Sequence, residues 1–447
     1  MRYFGTDGVR GAANQELTPE LAFHLGLACG TVLKREMLAS QMIVGRDSRL
    51  SGPMLQGALT AGFCSAGINV YDAGVLPTPA VAYLAGRMAD CAGAVVSASH
   101  NPAGDNGIKF LGSRGDKLED DILEAVERLI DEPPAPAARQ SGRAVGWVKP
   151  LTSAAQDYVS FLLGTLDCSL TGLKVVVDCA NGAAWEVGPR ALRQAGAQAI
   201  SIHDLPDGWN INQACGSTHM ESLRAAVTRW GADLGAAFDG DGDRFLAVDH
   251  QSRLVDGDQI LVALGLYLRE QGRLGDQVVV TVMSNLGLRL AFEAAGITVR
   301  ETPVGDRYVL QEMLRQDALL GGEQSGHIIL REFAATGDGI LSALQLMAVM
   351  KKTGKTLAEL SGQMRRYPQV LINVPVKTKE GWESNPAIAG SKLAVEEKLA
   401  GRGRLLLRPS GTEPLIRVMA EGPDEKELRH LLSGLTEVIG AEQGLAR

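Results

Sequence analysis

Between residues 42 and 96 the chain alternates between two hydrophobic rhythms. Short apolar runs at Met42–Gly45, Ile68–Ala73 and Ala92–Val96 have the length and content of buried strands. Between them, Pro53–Ala66 and Pro79–Met88 carry helical spacing. The order βαβαβ predicts a parallel sheet, since parallel neighbours require a long crossover. An earlier helix has Thr18 at its N-cap and Pro19 at its first position, where the missing N–H leaves no backbone bond unmade.

The same rhythm returns twice. Strands are predicted at Lys174–Asp178, Ala199–His203 and Leu234–Phe238, then at Gln277–Met283, Ile297–Thr302 and Ala318–Gly321. The last 80 or so residues differ, with a strand, a helix at Asn385–Leu399, strands at Arg404–Leu407 and Leu415–Ala420, and a helix at Asp424–Ile439. The predicted fold class is therefore α/β: three consecutive α/β domains with mixed, largely parallel sheets, plus a C-terminal α+β domain, arranged around a central cleft. The expected boundaries are 1–151, 152–250, 251–365 and 366–447. The Pro/Ala-rich stretch Glu132–Ala138 is expected to be an exposed connector at the end of the first domain.

Composition narrows the class. A chain of 447 residues exceeds one ordinary core, and at about 150 residues per domain it holds about three. With 45% hydrophobic and 21% charged residues it reads as an ordinary globular protein rather than a disordered one. A net charge of −8 without a Lys/Arg block argues against a nucleic-acid surface. The six cysteines lack C-x-x-C spacing, which argues against a zinc site or a disulfide framework. With no apolar leader and no 18-residue apolar run, a cytoplasmic enzyme away from the membrane is expected.

Chemistry concentrates in a few polar segments, three of which follow predicted strands, where α/β sheets bind ligands. Asp239-Gly-Asp-Gly-Asp243 sets three carboxylates two residues apart. On an extended strand they would lie about 6.6 Å apart at about 3.3 Å per residue, too far for one small cation, so the chain must curl, and Gly240 and Gly242 are expected to supply the freedom. An EF-hand is excluded by count, because Arg244 and His250 stand where Gly and Glu are required. Mg²⁺ suits this hard oxygen set; the alternative is a solvated acidic turn. Ser97-Ala-Ser-His-Asn-Pro102 offers a hydroxyl in an irregular loop, with Lys109 as a nearby cation. Ser97 and Ser99 share strand parity, so spacing does not choose between them. Gly322-Glu-Gln-Ser-Gly-His327 suits sugar hydroxyls, a buried satisfied histidine being the alternative. Arg408-Pro-Ser-Gly-Thr-Glu-Pro414, with Arg417 beyond it, has the donors of a phosphate nest, or is a polar hairpin with surface arginines. The glycine-rich loop Gly5–Gly11 matches no nucleotide motif.

In this order the segments FGTDGVRG, SASHNP, DNGIKF, DGDGDR, PVGDRY, GEQSGH and RPSGTEP resemble the α-D-phosphohexomutase superfamily over the whole chain, and look most like its bacterial phosphoglucosamine mutase branch. The resemblance implies four domains and an isomerase that moves phosphate through a phosphoserine enzyme. The reaction would interconvert glucosamine 6-phosphate and 1-phosphate through a 1,6-bisphosphate, feeding amino-sugar and cell-wall precursor synthesis. It implies that Ser99 is the phosphorylated serine and that Ser99, Asp239, Asp241 and Asp243 hold one Mg²⁺. Lys109 and His100 would move protons and stabilise phosphate, with Arg10 and Arg244 beside them. Glu323, Ser325 and His327 would grip the sugar, and Arg408, Ser410, Gly411, Thr412 and Arg417 the phosphate that is not reacting. A glucosamine or glucose 1,6-bisphosphate would act as activator, and a homodimer is suggested. The resemblance also implies a departure at Met283-Ser-Asn285, where a substrate-binding lysine is expected in the glucose and mannose branches, and GEQSGH is a variant in its third residue. The alternatives are a phosphoglucomutase or phosphomannomutase, a metal-dependent sugar phosphatase, and a non-catalytic sugar-phosphate binder.

Overall fold

The computed structural model describes residues 2–5, 7–132, 139–410 and 413–444. Of the proline-rich connector, Pro133–Ala138 fall outside these residues, as do Gly411 and Thr412 of the expected phosphate loop. The chain divides into two compact units, Met1–Met283 with Ile297–Gln363, and Ser284–Gly296 with Met364–Arg447.

The first unit contains three sheets. The first is built from β1 (Val9–Ala12), β2 (Gln41–Arg46), β3 (Asn69–Val75), β4 (Cys91–Val96), β5 (Asp105–Leu111) and β6 (Val148–Pro150), with helices α1 (Pro19–Arg35), α2 (Gly52–Ala66), α3 (Thr78–Arg87) and α4 (Asp120–Asp131). Its spatial order is β1-β5-β4-β2-β3-β6. Strands β4, β2, β3 and β6 are parallel, while β5 returns antiparallel to β4 and carries β1 antiparallel beside it. The Thr18 hydroxyl accepts from Leu21 N–H and Pro19 opens α1, as the sequence predicts.

The second sheet follows α5 (Ala154–Gly164) and contains β7 (Lys174–Asp178), β8 (Gln198–Ile202), β9 (Leu234–Phe238), β10 (Phe245–Asp249) and β11 (Leu254–Val255), with α6 (Val187–Gln194) and α7 (Glu221–Trp230). The third follows α8 (Gly257–Glu270) and contains β12 (Gln277–Thr281), β13 (Thr298–Thr302), β14 (Leu320–Gly322) and β15 (Ile328–Leu330). Helix α9 (Leu286–Ala294) interrupts that run but belongs to the second unit, whereas α10 (Asp306–Gln316), α11 (Gly339–Thr353) and α12 (Leu357–Ser361) stay with the first. In both sheets a parallel set ends in an antiparallel return: β9 parallel to β7 and then β10, β14 parallel to β12 and then β15.

All three sheets thus share one device. The chain leaves the carboxyl end of a buried parallel strand, makes a short loop, and re-enters antiparallel. The loop after β4 carries Ser99, the loop after β9 the three aspartates, and the loop after β14 Glu323 to His327. Strands β4 and β9 are buried throughout, which fixes where each loop begins.

The second unit pairs β16 (Gln369–Pro375), β17 (Arg404–Pro409) and β18 (Leu415–Glu421) in the antiparallel order β16-β18-β17. Helices α13 (Pro386–Leu399) and α14 (Glu425–Gln443) supply apolar faces to one core with Val374, Ile416, Val418, Leu432 and Ile439. Asn285 caps α9 and donates to the carbonyl of Tyr367 at 2.9 Å, so its side chain is committed to structure. No described helix is long and apolar enough to cross a membrane.

Helices α1 and α2 meet through glycine. A Cβ on Gly26 would stand 2.1 Å from the Leu59 carbonyl oxygen, and one on Gly62 would stand 2.2 Å from that of Phe23. We expect Gly26→Ala to destabilise the fold by about 1–3 kcal/mol, the range for overpacking, seen as a lower thermal midpoint; an unchanged midpoint would refute backbone contact between the helices.

Asp338 caps α11 through Leu341 N–H at 2.9 Å and accepts the Tyr158 hydroxyl at 2.8 Å. Burial raises its carboxyl from 3.8 to about 6. An acid raised on folding stabilises most below its unfolded value and loses that contribution as pH climbs through the folded one. The shift corresponds to about 3 kcal/mol at about 1.4 kcal/mol per unit. The stability advantage of the wild type over Asp338→Asn should therefore be larger at pH 4 than at pH 7; a difference independent of pH would contradict this.

Candidate active site

The acidic loop curls as its spacing requires, though its two glycines serve different ends. Gly242 adopts φ +73°, the left-handed region open to glycine. Gly240 does not have a positive φ; its place is set by crowding, because a Cβ there would lie 2.4 Å from the Ser99 carbonyl oxygen. The expectation that both glycines supply backbone freedom is corrected at Gly240 to one of close approach. Three outside groups pin the loop: Thr78 N–H bonds the Asp241 carbonyl at 2.9 Å, Ala183 N–H that of Gly240 at 2.8 Å, and Gly339 N–H that of Gly242 at 3.0 Å.

The loop buries Asp239, Asp241 and Asp243, which are 1%, 0% and 6% exposed. One oxygen from each lies within 4.8 Å of the others. Oδ1 of Asp241 and Oδ1 of Asp243 are buried without a hydrogen-bond partner. Orphaned carboxylate oxygens converging this closely are the donor set of a hard divalent cation, so the residues fit one.

Cations from the first sheet offset the charge. Lys109 on β5 brings Nζ to 2.9 Å from Asp241 Oδ2, 3.1 Å from Asp7 and 3.9 Å from Asp243. Burial alone would drive its proton off, but Asp241, Asp7 and Asp243 hold the ammonium above its ordinary range. Burial likewise raises Asp241, yet Lys109 and the Thr78 hydroxyl, 2.7 Å away, pull it well below the usual carboxylate range. Asp239 goes the other way: burial, then Asp243 and Asp241, push it up. Arg10 pairs with Asp7, and Lys117 bridges Asp7 at 2.9 Å and Asp306 at 2.8 Å.

Ser99 and Ser97 point to different partners. Ser97 Oγ donates to Asp47 Oδ2 at 2.6 Å, away from the carboxylate cage. Ser99 Oγ donates to Asp239 Oδ2 at 2.6 Å and lies 3.4 Å from His100 Nδ1. The parity that left the two serines equivalent ends with β4, because Ser99 turns left-handed at φ +52°. Arg244 Nη1 donates to His100 Nδ1 at 3.1 Å. Burial, then Arg244 and Arg10, lowers the imidazole to about 4, so it is neutral at pH 7.

The loop after β14 is partly turned inward. Glu323 accepts from Gly305 N–H at 3.1 Å, and Ser325 Oγ donates to Glu323 at 3.2 Å. His327 is 3% exposed. Its Nε2 accepts from Gly337 N–H at 3.1 Å, leaving Nδ1 to face Asp243 at 3.6 Å. That ring orients a carboxylate of the acidic loop. A cavity of about 390 Å³ adjoins it, with Lys117, Asp306, Arg307 and His327 in its lining.

In the second unit, Arg408 and Arg417 sit opposite one another on β17 and β18. Burial and Arg417 together lower the Arg408 guanidinium. Arg417 reaches Ser410 Oγ at 3.5 Å and Glu413 at 3.4 Å, and Lys379 Nζ bonds the Ser410 carbonyl at 2.8 Å. Two opposed guanidiniums are a poor pair alone and a good one around an anion.

Six residues at the first unit's site escape the sequence reading: Asp7, Asp47, Arg49, Lys117, Asn212 and Asp306. Asp7 and Asp306 stand inside quoted motifs, and Asp47 and Arg49 follow β2 at its carboxyl end, where ligands gather. Asn212 has no comparable signal.

Profiles of the phosphoglucomutase/phosphomannomutase family match along the chain: alpha/beta/alpha domain I at 1–136, domain II at 156–252, domain III at 256–367 and the C-terminal domain at 371–438. A phosphoglucosamine mutase of Desulforamulus reducens is 53% identical over 98% of this chain and 99% of its own length. A crystal structure of a phosphoglucomutase/phosphomannomutase family protein from Burkholderia thailandensis superposes with a TM-score of 0.81 at 25% identity, covering 98% of this chain and 97% of its own. The Aspergillus fumigatus N-acetylphosphoglucosamine mutase, solved with GlcNAc-6P and magnesium, shares the fold at a TM-score of 0.66 and 19% identity over 98% of this chain and 95% of its own.

The acidic set carries a direct test. Titration calorimetry with Mg²⁺ should give one site per chain, weakened about tenfold or more in Asp241→Asn; equal affinity in the two proteins would remove these carboxylates from the site.

Proposed function

The chain belongs to the phosphoglucomutase/phosphomannomutase family, and from that we propose that it interconverts glucosamine 6-phosphate and glucosamine 1-phosphate through a phosphorylated Ser99. The substrate follows from full-length relatives about half identical to it, which are phosphoglucosamine mutases. The observation that carries the nucleophile is the placement of Ser99 Oγ, 2.6 Å from Asp239 and aimed at a cage of three buried carboxylates.

In the forward reaction a free sugar hydroxyl attacks the phosphorus of phosphoserine 99. The bond from phosphorus to Ser99 Oγ breaks, the hydroxyl proton passes to a base, and a 1,6-bisphosphate forms. After the sugar turns round, Ser99 Oγ gives up its proton and attacks the other phosphate, the bond from that phosphorus to the sugar oxygen breaks, the oxygen takes up a proton, and the 1-phosphate leaves. Phosphoryl transfer needs mainly placement and charge stabilisation, and each residue takes one of those tasks. Asp239, Asp241 and Asp243 would hold Mg²⁺ with a phosphoserine oxygen, and Mg²⁺ supplies Lewis-acid neutralisation of phosphoryl charge. Lys109, paired with Asp241 and Asp7, adds positive charge beside the phosphoserine and serves proton transfer with His100. His100 is neutral, stands 3.4 Å from Ser99 Oγ and accepts from Arg244, which holds the ring beside the phosphoserine. Arg10 and Arg244 add fixed positive charge. Glu323 and Ser325 bind sugar hydroxyls, with His327 beside them and facing Asp243. Arg408, Ser410 and Arg417, with Gly411 and Thr412 between them, bind phosphate, and a 1,6-bisphosphate reloads a dephosphorylated Ser99.

Intact mass of the wild type should show one phosphate, absent in Ser99→Ala together with all but a trace of mutase turnover. In a panel of glucosamine, glucose and mannose 6-phosphates, the amino sugar should give the highest kcat/KM. Full activity of Ser99→Ala would overturn the nucleophile, and preference for glucose or mannose would overturn the substrate.

A further inference from the structure

Ser99 holds a backbone conformation it would not choose. Its φ of +52° lies in the left-handed region that residues with a side chain rarely adopt, and such strain persists only where neighbours over-determine it. Both of its peptide groups are held. Ser99 N–H bonds Ser97 Oγ at 2.9 Å, and Ser97 in turn bonds Asp47. The Ser99 carbonyl accepts from Arg49 Nη2 at 2.9 Å and from Asn212 Nδ2 at 2.9 Å.

Two residues on, the Asn101 carbonyl accepts from the same pair, at 2.8 Å from Arg49 and 3.0 Å from Asn212. Arg49 Nη1 bonds the carbonyls of Pro102 and Asp105, the latter at 2.9 Å, and Nε bonds Asp47 Oδ2 at 2.8 Å. All five guanidinium N–H groups are therefore used, inside a residue 1% exposed. Both amide hydrogens of Asn212 are used as well. Neither side chain retains a donor for a phosphate or a sugar. Arg49 comes from the first sheet and Asn212 from the segment after β8, so two domains grip one pair of carbonyls. Gly240 completes the fit, since a Cβ there would meet both the Ser99 carbonyl at 2.4 Å and Asn212 Nδ2 at 2.9 Å.

We propose that Arg49 and Asn212 are positioning residues for phosphoryl transfer, which hold Ser99 in its left-handed turn by its carbonyl and thereby aim Oγ into the carboxylate cage. The proposal rests on Ser99 being the phosphorylated nucleophile. The pair acts on the aim of the loop and not on substrate affinity. Misplacing a reacting group by about 1 Å costs on the order of 100-fold in rate.

The experiment uses full-length Asn212→Ala and Arg49→Lys, the latter keeping the charge but losing the fork that reaches four carbonyls. Dephosphorylated enzyme is mixed with glucose 1,6-bisphosphate, and phosphate loading is followed by intact mass beside steady-state kinetics and thermal midpoint. Expected in Asn212→Ala are a loading rate and a kcat both lowered about 10- to 100-fold, a KM within twofold of wild type, and a retained fold. Should Arg49→Lys fail to fold, Asn212→Ala still decides. Loading at the wild-type rate, or an unchanged kcat with a raised KM, overturns the positioning role, as does a kcat loss that matches the unfolded fraction. If instead the wild type never loads and Ser99→Ala turns over, it is the nucleophile that fails.

Discussion

Three carboxylates buried within one short loop are the constraint on which the first unit depends. Removing a carboxylate from water costs several kcal/mol unless a cation or good hydrogen bonds repay it. Asp239, Asp241 and Asp243 draw compensation from Arg244 of their own loop and from groups outside their sheet. Lys109 comes from β5 of another sheet, Thr78 from the start of α3, and His327 from the loop after β14. The demand for charge balance thus ties together three sheets that are otherwise separate in sequence. Asp7, Lys117 and Asp306 continue the alternation of sign outward from that centre.

Repetition of one topological device makes this convergence economical. Each sheet ends its parallel set with a buried strand and an antiparallel return, and the loop between them is free of ladder hydrogen bonds. Its backbone can therefore turn sharply, and its side chains can differ without disturbing the core. Ser99, the aspartates and Glu323 occupy equivalent places in three sheets and do three different things. Glycine enters where backbones must touch: Gly240 against the Ser99 carbonyl, and Gly26 and Gly62 between α1 and α2. Members of this family share these domains, and full-length relatives about half identical to this chain are phosphoglucosamine mutases. Asn285 is spent on capping α9 and bonding Tyr367.

Much of the architecture was legible from residue order alone. Buried strands announce themselves as apolar runs, helices by their spacing and by caps such as Thr18-Pro19, and both properties are local. The three aspartates were legible for the same reason, since their spacing and intervening glycines lie within five residues, and so was the loop that carries Ser99. Choosing Ser99 over Ser97 was not, because parity holds only while the strand lasts, and β4 stops at Val96.

What the tertiary structure alone decided is which buried groups answer one another. Arg49 reads as an ordinary arginine after a strand until four carbonyls of the Ser99 loop are seen to fill its donors. Asn212 stands 113 residues from the carbonyl it holds. The approach of His327 to Asp243 at 3.6 Å has no local signal either. The sequence by itself determined the elements, the loops and the kinds of chemistry they carry, because those follow from local pattern. The partners of each charge, the left-handed turn of Ser99 and its aim came only with the fold, because desolvation makes a buried polar group depend on whatever the distant chain brings within about 3 Å.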